Sequence, residues 1–138
     1  MRTILIKNNK GVTLLETMMA ILVFGVALVG LLDVCAQSIL MGKRSQLSYA
    51  AYNLAKNRIE TLKTMSFGNL PSADETDTIL DADAVPDTNG IYKRNTSVTT
   101  SYAGDANVTQ LTVTVDYKIK NVFAGKPASL STVVFEYA

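Results

Sequence analysis

A single carboxylate, Glu16, stands near the start of an otherwise apolar stretch, KGVTLLETMMAILVFGVALVGLLD, from Lys10 to Asp33. A charge in a membrane helix costs on the order of a few kcal/mol, less near the interface, and usually finds a partner. The nearest cations of the same chain are Lys7 and Lys10 before the stretch and Lys43 beyond it. A cut after Gly11 creates a better one. The new α-amine of Val12 is a cation at nearly the same depth, about one helical turn away on its own chain and reachable on a neighbouring copy. The chemistry in view is chain processing and charge pairing.

A second group of hard oxygens lies in PSADETDTILDADAVPDTNG, from Pro71 to Gly90, which holds six acids and no base. Asp81, Asp83, Asp87 and Asn89, with Gly90 for a turn, are weak calcium candidates. The helix-loop-helix calcium loop needs a glycine after its third ligand and a Glu six residues beyond it, an order absent here. A solvated connecting loop is the plainer expectation. Elsewhere the chain has no His and one Cys, Cys35. The usual general base, proton shuttle and commonest metal ligand are missing, and no internal disulfide can form. Cys35 reads as a small apolar residue, with no cation nearby before Lys43 and Arg44 to favour a thiolate. The Ser and Thr residues lack a base and no glycine-rich phosphate loop occurs, so neither an enzyme nor a cofactor is expected.

Thirteen Lys and Arg against twelve Asp and Glu leave no net field toward nucleic acid, which is an unlikely partner. Arg2, Lys7 and Lys10 all precede Gly11, so from Val12 onward ten basic residues face twelve acidic ones. The sequons at Asn95 and Asn107 fall in Thr-rich strand sequence and carry no functional weight.

The elements that must position Glu16 begin with the uncharged run Thr17–Leu32, sixteen residues, or twenty-one counted from Val12 with Glu16 tolerated. Twenty-one helical residues cover roughly 31 Å, close to a bilayer's hydrocarbon thickness. A cleaved secretory signal and a buried core helix are the competing assignments; a retained membrane helix fits best. Bases before the run and Asp33 after it favour a cytoplasmic N-terminus, although Lys43 and Arg44 pull the other way.

Helical signals continue in SQLSYAAYNLAKNRIETLKTMSF. Tyr52, Ala55, Ile59 and Leu62 form a stripe, widened by Leu47, Ala51, Leu54 and Met65, with Lys56, Glu60 and Lys63 outside it. Arg58 falls within the widened stripe, either as a stem with its head in water or as a contact to a partner. Gly68 and Pro71 should end the helix, Gly68 as a left-handed cap. From Ile91 the period becomes two. Leu111, Val113, Val115, Tyr117 and Ile119 share one strand face; Tyr92, Val98 and Tyr102 mark a preceding strand, and Val133, Phe135 and Tyr137 a following one. A three-stranded antiparallel meander covered by the amphipathic helix is expected.

K-G-V-T-L-L-E followed by sixteen uncharged residues resembles the N-terminal signal of type IV prepilins and type II secretion pseudopilins. The pattern Ala51, Leu54, Ala55, Glu60, Leu62 resembles the later helix of V-type minor pilins and I-type pseudopilins. The resemblance implies an α+β pilin-like fold, a long N-terminal helix packed on a small antiparallel β-sheet. It implies that a prepilin peptidase cuts between Gly11 and Val12 and methylates the Val12 amine, and that Glu16 docks against a neighbouring subunit's N-terminus. Implied partners are other pilin or pseudopilin subunits, the peptidase, the inner-membrane assembly platform, and membrane lipid before assembly. Implied location is the inner membrane, then an extracytoplasmic filament.

Two departures point to a minor subunit: Asp33 stands where major pilins commonly carry Pro, and a C-terminal pair of Cys is absent. The expected division is a leader (1–11), a membrane or filament-core helix half (12–40), an amphipathic half (41–67), an acidic connecting loop (68–90) and a sheet (91–138). A type II secretion pseudopilus subunit and a singly anchored exported binding domain remain as alternatives.

Overall fold

The computed structural model describes residues 11–136. Arg2, Lys7, Lys10 and Tyr137 lie outside them. One helix, α1 (Leu14–Lys63), runs for 50 residues without a proline, and the chain divides at Met41 and Gly42 into two compact units.

In the first unit the helix is apolar on every side and buries nothing: among the described residues only Leu40 is even partly covered. It is long and apolar enough to cross a membrane. Its hydroxyls are satisfied internally, as hydrocarbon requires. Thr17 Oγ1 donates to the Leu14 carbonyl at 2.7 Å and Ser38 Oγ to that of Val34 at 2.8 Å.

In the second unit the same helix buries Ala51, Leu54, Ala55, Ile59 and Leu62. The stripe is centred slightly off the expected line, because Tyr52 is 46% exposed while Ala51 and Leu54 turn inward. The helix ends by tightening, with Thr64 N–H donating to Thr61 O and Met65 N–H to Leu62 O. Gly68 is therefore not a left-handed cap; it lies inside a 3-10 segment, Phe67–Ala73, that places Leu70 and Ala73 in the core.

Five antiparallel strands follow: β1 (Glu75–Leu80), β2 (Tyr92–Thr99), β3 (Val108–Ile119), β4 (Val122–Phe123) and β5 (Ala128–Phe135). The order is β1-β2-β3, with β4 and β5 both paired to β3. The meander expected from the sequence is β2, β3 and β5, and two strands were not anticipated. Residues 75–80, read as part of a connecting loop, pair with β2 through Thr78↔Arg94 and Leu80↔Tyr92. Their acids hid a Thr-Ile-Leu run suited to a strand. β5 also faces the other way from the Val133 and Phe135 expectation. Register with β3 (Val113↔Leu130, Val115↔Ala128) turns Ala128, Leu130 and Val134 to the core and leaves Phe135 exposed.

Leu111, Val113, Val115 and Tyr117 of β3 meet the helix stripe and Leu70, Leu80 and Tyr92 in one cluster. Each fully buried aliphatic chain contributes about 1.5–3 kcal/mol by leaving water. Gly90 closes the β1–β2 connection against the Leu80 carbonyl, where a Cβ would lie 2.1 Å from that oxygen.

Candidate functional site

Gly11, Val12 and Thr13 precede the first helical turn and are exposed. Thr13 Oγ1 accepts the Glu16 N–H at 3.2 Å, capping one of the helix's unpaired donors. Thr13 to Glu16 has the T-x-x-E pattern of a capping box, of which this bond is one half. The Glu16 carboxylate is exposed, sits in the first turn where the helix dipole favours an anion, and has no ion pair among the described residues. The Gly11–Val12 peptide bond is thus exposed and outside the helix, one turn before a carboxylate that has no ion pair among the described residues.

Residues 6–32 match the family model described as the prokaryotic N-terminal methylation motif. The chain carries a type IV prepilin-like N-terminus. That motif, followed by the long apolar helix and a curled antiparallel sheet, is consistent with the type IV pilin and pseudopilin superfamily. No curated protein and no solved structure matches the chain. A prepilin-like motif is a structural signal, not a catalytic one, and brings with it processing by prepilin peptidase and pilin-type partners in general. With an apolar helix directly behind it, it is the pattern of a single-pass inner-membrane anchor.

A second charged constellation was not foreseen. Arg58 is partly buried and finds its partner within the chain: its Nη2 donates to Glu75 Oε1 at 2.8 Å and, at 3.4 Å, to the Ala73 carbonyl. Arg94 Nε donates to Glu75 Oε2 at 2.9 Å, and Thr96 Oγ1 donates to the same oxygen at 3.2 Å. One carboxylate thus ties the helix to β1 and β2. Burial pushes the Arg58 guanidinium below its ordinary value; Glu75 opposes this and Arg94 adds to it. The arrangement was legible, since Arg94 and Thr96 fall between Tyr92 and Val98 on the inward parity of β2 and Arg58 falls on the inward stripe.

Asp81 and Asp87 are held as turn formers. Asp81 Oδ1 accepts the N–H groups of Asp83 and Val85, both at 2.9 Å, and Asp87 Oδ1 that of Asn89 at 2.9 Å. Among the described residues no three His, Cys, Asp or Glu side chains converge on a point. Lys63 pairs with Glu60 at 3.5 Å on the outer helix face, and Cys35 is exposed on the apolar half.

Proposed function

We propose that the chain is a minor pilin, processed between Gly11 and Val12 by a prepilin peptidase, methylated on the Val12 amine and built into or priming a type IV pilus filament. The observation that carries this is the methylation motif over residues 6–32 placed directly before a helix half that is apolar on all sides and uncovered. Such a surface needs lipid before assembly and other hydrophobic helices after it. Glu16, free of any ion pair among the described residues, pairs with the N-terminal amine of a neighbouring subunit. The N-terminus begins cytoplasmic and the head is exported. Asp33 and the missing Cys pair favour a minor subunit over the bulk filament protein.

Intact mass spectrometry of protein extracted from cells holding the peptidase tests processing. The expected species begins at Val12 with one added methyl; a retained leader overturns the assignment. Glu16 has two possible uses, helix dipole partner and intersubunit charge, and Glu16→Gln separates them. Gln keeps the polar side chain a capping box accepts but cannot pair with a cation. Both Glu16→Gln and Glu16→Ala should be processed normally yet enter filaments at least about tenfold less well, the equivalent of one lost charge pair. Normal incorporation of the Gln variant would leave only the local role.

A further inference from the structure

The second unit contains a groove of about 490 Å³ whose charged lining is all of one sign: Arg44 from α1, Lys120 from the β3–β4 turn and Lys126 from the β4–β5 connection. Among the described residues these three cations make no ion pair, and no Asp or Glu lines the groove. Asp116, the carboxylate nearest Lys120 in sequence, is taken up by the frame: Oδ1 accepts the Tyr117 N–H at 2.8 Å and Oδ2 the Gly125 N–H at 3.2 Å. Lys93 and Lys118 stand over the Phe123 ring at 5.0 and 5.1 Å and add to the positive field. Val122, also in the lining, is 68% exposed. Unanswered cations beside an exposed valine call for an anionic surface that brings apolar area with it.

The same unit presents such a surface at its β1–β2 connection. Asp81, Asp83 and Asp87 stand close together in DADAVPD with no base between them, and none is in an ion pair among the described residues. The turn is fixed from within: Asp81 N–H donates to the Val85 carbonyl at 3.0 Å, Asp87 N–H to that of Ile79 at 3.1 Å, and Leu80 bridges Pro86. Asp81 and Asp87 each accept backbone N–H groups on Oδ1 alone, which leaves Oδ2 of both for another donor, and Asp83 uses neither oxygen. Among these carboxylates Val85 is 55% exposed. Acids around an exposed valine thus match cations around an exposed valine, and the turn is already ordered, so docking it costs little further entropy.

The turn does not answer the groove of its own chain, because none of its residues line it. The two nevertheless lie at one end of the sheet: Tyr92 pairs with Tyr117, and Lys118 donates its N–H to the Ile91 carbonyl at 2.8 Å and its Nζ to that of Gly90 at 2.9 Å. In the order β1-β2-β3-β4 the turn joins the first two strands and the groove takes in the last two. Two heads side by side in one orientation therefore bring the turn of one level with the groove of the next. We infer that the groove takes the acidic turn, residues 81–87, of a second copy of this chain, with its carboxylates against Arg44, Lys120 and Lys126 and Val85 against Val122. A lone inorganic anion would meet the cations and leave Val122 bare. Such a contact is heterologous: each copy keeps a groove free on one side and a turn free on the other. It lies wholly within the second unit and stands whether or not the chain is processed or joins a pilus.

Single cysteines test the contact in the full, unprocessed chain in detergent, with Cys35→Ser in every variant. One variant carries Val85→Cys in the turn and the other Val122→Cys at the groove; both side chains are exposed, so the head keeps its core. Under mild oxidation the mixture should form its disulfide at least about tenfold faster than either variant alone, since only the mixed pair sets turn against groove. Equal rates in all three would mean chance encounters within micelles, or a groove made for some other anion, and would overturn the contact. Asp83→Lys added to the turn variant, or Lys126→Glu added to the groove variant, should slow the mixed reaction about three- to tenfold. The two reversals together should recover most of the rate, which two misfolded heads would not do. A rate unmoved by either reversal, or lost in both without recovery, overturns the inference. Because the leader is still present, a failure of processing would sink the proposed function and leave this result untouched.

Discussion

The two halves of α1 are the same secondary structure solving opposite problems. From Leu14 to Met41 the helix is apolar all round and buries nothing; from Gly42 to Lys63 it buries one stripe, Ala51 to Leu62, and wets the rest. Each half also holds a carboxylate-centred site. Glu75, which answers the second half, takes hydrogen bonds from Arg58, Arg94 and Thr96. Glu16, in the first half, receives no cation from the described residues. The Glu75 site is thus answered within the head, whereas the first half offers an uncovered apolar surface and a carboxylate with no ion pair among the described residues. A helix's hydrophobic pattern tells what must cover it, and an all-round pattern cannot be covered by one small sheet.

The sharpest way to break this comparison is a matched truncation. Leu62 is 0% exposed in the head cluster, whereas Leu22 is 62% exposed in the first half. Leu62→Ala should lower the unfolding free energy of the head by about 3–5 kcal/mol, through lost transfer energy and a residual cavity. Leu22→Ala should leave it within about 0.5 kcal/mol of wild type. Denaturant unfolding of the full chain in detergent, followed by a near-ultraviolet tyrosine signal from the head, reads both. Similar losses at the two positions would mean that the halves are not independent surfaces.

Glu75→Ala comes next in size. It leaves two guanidinium groups facing each other without their shared anion, at 18% and 10% side-chain exposure. Removing one partner of a buried pair costs several kcal/mol, reduced here because Glu75 itself is 24% exposed. The expected loss is about 2–3 kcal/mol, and Arg58→Met in the same background should recover part of it by removing one of the stranded charges. No recovery would show that Glu75 matters only to the local path of β1.

Most of this division could be read in the sequence because it depends on period and composition. The uncharged run set the first half, the three-four spacing set the second, and strict alternation in Leu111–Ile119 set β3. The misreadings have physical causes. Residues 75–80 looked like loop because their acids are conspicuous, yet strand pairing uses backbone groups and tolerates Glu75 and Asp77 on an edge with a bulge. The face of β5 was misjudged because aromatic residues drew attention, while its register is dictated by β3. Helical geometry puts Arg58 on the inward stripe, but its partner was not legible, because Glu75 is distant in sequence. The motif over residues 6–32 was legible because it is a local sequence signal. A groove of the head lined by Arg44, Lys120 and Lys126 was not, since it gathers them from three separated segments.

The smallest expected effect concerns pH. Tyr92, at the start of β2, is 3% exposed and packs in the head cluster, and burial raises its phenol above the ordinary value near 10. Below that pH the phenol is neutral in folded and unfolded chains alike, so it contributes no pH dependence. As pH rises through about 10 the unfolded phenol ionises while the folded one keeps its proton. The unfolded state then binds fewer protons, and stability falls with increasing pH until the folded group also ionises. Tyr92→Phe removes this contribution while keeping the ring in place. At neutral pH the variant should unfold close to wild type; between about pH 9 and pH 11 its stability should fall less steeply. Denaturant midpoints of both proteins across that range measure the difference. Parallel slopes would mean that water reaches the phenol, and that the head is less closed at its β2 end than the contrast with the uncovered first half requires.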